Sequence, residues 1–178
     1  MWIGLVGSEM CIRDRPGVIQ VCGLPPTVSG WSLGIIGLFN IVGSIFAGWY
    51  ISKRSMRIFV AYTYFARCII VLLFLISPKD LISVILFSAA LGLTYFSVIP
   101  ATAGLVGKMF GPQFMATLFG FALVSHQIGG FLGAYLGGFF FSITGDYTTV
   151  WLLDATLAVF AALIHLPIKE KLVYSEAT

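Results

Sequence analysis

The chain has 178 residues and a net charge of +3; it is 59% hydrophobic and only 10% charged, with a mean hydropathy of +1.01. A soluble domain carries about 25% charged residues, so one water-soluble core is excluded and repeated membrane spans are expected. The basic residues form short clusters between apolar stretches, which excludes a nucleic-acid footprint and leaves them to set orientation.

Residues 1–16, MWIGLVGSEMCIRDRP, differ in character from the rest of the chain. A short apolar start turns into a mixed-charge run too short to span. The string VGSEMCIRDR resembles a recurrent artefact at the ends of conceptual translations, so a non-native segment replacing lost sequence is expected; a surface-lying native tail is the alternative. Residues 17–30 read as an extracytoplasmic loop, since Pro25-Pro26 cannot sit inside a helix and Thr27 or Ser29 can cap the next one.

Five spans are expected beyond that loop, at about 31–52, 58–77, 81–107, 113–143 and 148–167, with a polar tail at 169–178. The first carries Gly37, Ser44 and Gly48 at helical spacing with Asn40, which puts Asn40 on a packed stripe. An interhelical hydrogen bond and direct solute contact are both open to it. The second carries Arg67 roughly ten residues in, at mid-depth, where a lone guanidinium is costly and needs a carboxylate, a carbonyl cage or an anionic solute. The third has Ala90, Thr94, Ser97, Ala101 and Gly104 along one stripe, and Pro100, which should kink it.

The fourth span is the centre of the chain. It has no charge between Lys108 and Asp146, and its length implies tilt or ends reaching into the headgroups. Gly129, Gly133 and Gly137 form a small-xxx-small ladder, with a second at Gly130, Ala134 and Gly138. Such ladders allow close helix approach in lipid. One turn earlier lies Ser125-His126-Gln127, where an intramembrane titratable group is a candidate functional position. The fifth span carries Asp154 and ends at Pro167.

Lys53, Arg54, Arg57, Lys108, Lys169 and Lys171 fall on one side of such a bundle, and Lys79, Asp80 and Asp146 on the other. The positive-inside rule then makes the first side and the C-terminus cytoplasmic, as expected for a multi-pass protein of the plasma or inner membrane. Cys11, Cys22 and Cys68 have no metal spacing and make no disulfide framework; no cofactor is expected. An intramembrane enzyme is disfavoured. Ser125 and His126 are neighbours pointing about 100° apart on a helix, and no Gly-x-Ser-x-Gly or paired carboxylates occur.

Three passages, GLPPTVSGWSLGIIGLFNIVGSIFAGW (23–49), FGPQFMATLFGFALVSHQIGGFLGAYLGGFFFSITGDY (110–147) and LIHLPI (163–168), resemble the C-terminal half of a major facilitator superfamily transporter, most closely its monocarboxylate and oxalate branch. The resemblance spans residues 18–168. It implies an all-α membrane fold whose spans correspond to helices eight to twelve of twelve, in a fragment lacking the N-terminal half. Its first, third and fourth spans would face the solute path. The family's loop signature, Gly-x-Leu-Ala-Asp-Arg-x-Gly-Arg-Arg, is echoed at 48–57: Gly48, Lys53 and Arg57 fit, while Ser52 replaces the aspartate and Ser55 the glycine.

The implied function is part of a secondary carrier for a small solute, an organic anion such as a monocarboxylate, by alternating access. The missing half would be its partner and a proton a candidate coupling ion, since imidazole changes charge near neutral pH. Candidate solute contacts are His126, Gln127, Asn40, Tyr95, Thr94 and Arg67, with Asp154 a structural alternative as Arg67's partner. A native five-span scaffold without transport, using its glycine ladders to pack partners, is the alternative reading.

Overall fold

The computed structural model describes residues 25–168 apart from Lys79, and Glu170. The expectations for residues 1–16 and for most of the tail lie outside the described residues. Within them the chain is helical without strands: α1 Pro26–Ile51, α2 Met56–Ile76, α3 Leu81–Tyr95, α4 Val98–Phe110, α5 Pro112–Thr144 and α6 Thr148–His165. With α3 and α4 counted as one broken span, five helical units among the described residues are long and apolar enough to cross a membrane.

Each boundary has a local cause. α1 begins at Pro26 rather than near residue 31, because Pro25 caps it and Pro26 takes a first-turn position, where the missing N–H has no intrahelical partner to lose. Pro78 comes just after the end of α2 at Ile76, and Asp80 caps α3 by accepting the Ser83 N–H at 2.9 Å. Gly111, at φ +80°, ends α4, and Pro112 starts α5 at once. Gly145, at φ +67°, closes α5 with its N–H on Phe141 O at 2.8 Å.

The third span breaks at Phe96-Ser97, upstream of the proline expected to kink it. Pro100 lacks the N–H that would reach the carbonyl four residues back, and its ring crowds that same group. That carbonyl is Phe96 O, which instead accepts from Ile99 N–H in a tighter turn at 3.0 Å.

α2 lies along α6 and α1 along α3; α5 touches α4 and, more lightly, α6. The α2–α6 seam is close because α6 presents Ala155, Ala158, Ala161 and Ala162, all buried. Two apolar cores flank this seam. One holds Phe74, Phe87 and Trp151, with Phe74 stacked 4.3 Å from Phe87 and 4.9 Å from Trp151. The other holds Phe59, Val60, Tyr64, Val98 and Ala101 at the opposite end.

Large apolar side chains cover the outside, among them Ile45, Tyr62, Ile76, Phe121 and Phe131. Such a surface suits lipid or partner helices rather than water. α5 is the least enclosed helix; its buried residues are Gly129, Gly130, Gly133 and Gly137. The three glycines of the first ladder are therefore buried, as is Gly130 of the second, while Gly138 is exposed.

On α1 the buried stripe is Val28, Ser32, Ile36, Asn40, Gly43 and Ala47. Gly37 and Gly48 lie beside it with open space around them. The close approach of α1 to α3 falls instead at Gly43, against Leu93 O and Ser97, and at Gly92, against Ile36 O and Phe39.

Candidate functional site

Polar side chains from three helices meet at the broken third span. Asn40 on α1 is buried, and its Oδ1 accepts the Phe96 N–H at 3.4 Å. Arg67 on α2 is fully buried, and its Nη2 donates to Thr94 O at 2.8 Å. Ser97 Oγ donates to Leu93 O. A helix interrupted inside a membrane keeps its backbone polar groups satisfied through such neighbours. Asn40 and Arg67 thus tie the break to α1 and α2.

The guanidinium also lies over two aromatic rings, 5.5 Å from that of Tyr64 and 5.9 Å from that of Tyr95. Asp154 is likewise fully buried, on α6, the helix packed against α2. The Thr94 hydroxyl turns back to Leu91 O at 3.0 Å, so it serves its own helix.

His126, half-buried on α5, and Tyr95 line one small cavity with Phe96, Ile99, Thr102 and Phe119. Its volume is about 30 Å³, enough for roughly one water molecule and too little for an organic solute. Across Phe96 and Ile99 lies a second, open depression of about 560 Å³, bordered by Asn40, Ser44 and Pro100. Phe96 and Ile99 line both and form a partition between them. Five of the six candidate contacts, Asn40, Arg67, Thr94, Tyr95 and His126, therefore gather around Thr94–Pro100. Gln127 does not: it is exposed, turned away from the cavity that its neighbour borders.

A second polar cluster, invisible in the sequence, closes one end of the bundle. Glu170, beyond α6, accepts from Ser55 Oγ at 2.5 Å and from Arg57 N–H at 2.8 Å, and pairs with Lys108 Nζ at 3.0 Å. Arg57 Nη1 donates to Ile168 O at 2.9 Å and Leu166 O at 3.3 Å. A carboxylate from beyond α6 thus joins this loop, and Ser55, one of the two positions where the loop departs from the signature, is one of its donors. Of the remaining loop-motif residues, Gly48 is exposed and Lys53 lies over the Trp49 ring at 4.6 Å.

Burial alone would raise the Glu170 carboxyl, but the Ser55 and Arg57 hydrogen bonds and the Lys108 ammonium hold it below the usual glutamate range. A carboxyl lowered on folding stabilises the fold when ionised. Its contribution is complete above the ordinary value of about 4.3 and is lost as pH falls through the lower folded-state value. Glu170→Ala should cost about 1–3 kcal/mol at neutral pH. Thermal unfolding in detergent would show the gap from wild type closing in acid; a gap independent of pH contradicts the ionised clasp.

The sequence profile of the Major Facilitator Superfamily matches residues 16–175. The chain belongs to that superfamily. It is similar to the uncharacterized MFS-type transporter YcxA of Bacillus subtilis (strain 168), at 28% identity over 140 residues. That match covers 75% of this chain but 34% of the relative, so the chain spans about a third of that protein's length.

Proposed function

We propose that this chain supplies one side of the solute path of a secondary carrier, working by alternating access against a second bundle. The solute is a small organic anion of the carboxylate class. The observation that carries the reading is the gathering of Asn40, Arg67, Tyr95 and His126 around a span broken near the middle of its length. Broken helices with polar neighbours are where carriers of this architecture place solute and coupling-ion sites.

His126 would meet the carboxylate or a coupling proton. Arg67, held by Thr94 O and two rings, would add a fixed positive field behind the site. The partition of Phe96 and Ile99 would open as α4 swings about the break, joining the small cavity to the open depression. The end bearing Ser55, Arg57, Lys108 and Glu170 would face the cytoplasm, by the excess of basic residues there.

The test is uptake of radiolabelled monocarboxylates into proteoliposomes containing the full-length protein, with and without an imposed proton gradient. His126→Ala is expected to slow uptake about tenfold or more, as for loss of a positioned proton-transfer or charge-stabilising group, with thermal stability near wild type. Unchanged uptake by His126→Ala removes the site assignment, and no carboxylate uptake by wild type removes the substrate class.

A further inference from the structure

We propose that the groove between α1, α2 and α3 binds an anionic phospholipid, one acyl chain lying in the groove and the phosphate held at Lys53. The groove has a volume of about 730 Å³ and is walled by Val42, Phe46, Phe59, Tyr62 and Ala66, with Thr94 and Ser97 on the third span. Tyr62 and Phe46 are exposed on its rims.

The groove surface selects an apolar occupant. Its aliphatic hydroxyls are all turned back on their own helices: Thr63 to Phe59 O at 2.9 Å, Thr94 to Leu91 O at 3.0 Å, and Ser97 to Leu93 O. They leave little for a polar solute to bind, whereas a space left empty forfeits the dispersion contacts of its walls. Along α1 the groove runs from Val42 to Tyr50, about 12 Å, which suits part of an acyl chain.

Charge selects the headgroup. The Phe46 ring lies 6.0 Å from that of Trp49, and Lys53 Nζ sits 4.6 Å from the Trp49 ring. One wall of the groove thus continues through an interfacial tryptophan to a cation. At this end Lys108 and Arg57 are engaged by Glu170 and by the carbonyls of Leu166 and Ile168. Among the described residues Lys53 has no carboxylate within ion-pair distance, and an anionic phosphate complements it. Because Thr94 and Ser97 border the break, a chain in the groove would buttress the hinge.

The experiment places the full-length protein in nanodiscs with phosphatidylglycerol or phosphatidylcholine carrying a photoactivatable group on the acyl chain, and maps adducts by mass spectrometry. Phosphatidylglycerol adducts should concentrate on Phe46, Tyr62 and Ala66 severalfold over phosphatidylcholine. Lys53→Gln should abolish that preference, and Ala66→Trp should remove the adducts from the groove. Equal labelling by the two lipids, or a preference that survives Lys53→Gln, overturns the proposal. Absence of groove adducts in wild type also overturns it and points to a protein segment as the occupant.

Discussion

Replacing Arg67 by alanine should be the most damaging single change in this chain, lowering stability by about 3–5 kcal/mol, as when a buried charge loses its compensation. The side chain has no exposed surface, holds Thr94 O beside the break, and lies over two aromatic rings. Its removal deprives a carbonyl of its side-chain donor and opens a void between α2 and α3. It also withdraws the positive charge from a helix pair in which Asp154 is fully buried. Arg67→Lys should recover only part of the loss, because an ammonium lacks the planar fork.

The two charges are expected to compensate one another. The double replacement Arg67→Leu with Asp154→Leu should therefore be less harmful than the sum of the single changes, and less harmful than either alone if desolvation dominates. Thermal unfolding of the four proteins in one detergent measures this. Additive losses would show that each charge is compensated elsewhere, and an Arg67→Ala protein that melts with wild type would refute the structural role outright.

Gly43→Ala should come next. A methyl group there would meet Leu93 O and, at 2.8 Å, Ser97 Oγ. The obstacle is backbone and cannot rotate away, so α1 and α3 must separate. Overpacking of this kind costs about 1–3 kcal/mol, and here it also disturbs the carbonyl bonded by Ser97 at the break. Gly37→Ala is the matched control on the same helix. Nothing lies within 4 Å of the added atom, so that variant should match wild type or gain up to about 1 kcal/mol from helix propensity. If the two variants melt alike, the close approach at Gly43 is wrong.

Span number and helical type are legible in the sequence because apolar runs are separated by proline, glycine and charge. The helix ends are less so. Pro25-Pro26 suggests a bar to helix, yet a helix begins on such residues as readily as it is broken by them. Pro100 marks the interruption correctly but displaces it, since proline acts on the carbonyl a turn before itself.

The packed face of α1 lies one residue out of phase with the expected one. Small size alone picks Gly37 and Gly48, while the polar Asn40, three residues before Gly43, carries the better signal. Around the site, Asn40, Arg67, Thr94, Tyr95 and His126 can be named from depth and polarity. Gln127 cannot be separated from His126 that way, because neighbours on a helix share a depth but not a direction. The Glu170 clasp is out of reach: it joins residues 115, 113 and 62 positions apart, and only the closing of the bundle brings them together.

The 33 residues of α5 make a rod about 50 Å long, set in a layer of roughly 30 Å. Such a rod leans or carries its ends into the headgroup layer; α4 and, more lightly, α6 hold it, and the residues it buries, the glycines past its midpoint, are where it can pivot. It is built like a lever on a fulcrum. With the pivot at Gly133, a change of about 10° in its lean would carry the N-terminal tip about 5 Å and the C-terminal tip about 3 Å sideways while the glycines barely move. His126 sits within a turn of the first of those glycines, so events at one end of the rod can reach it as rotation rather than as travel.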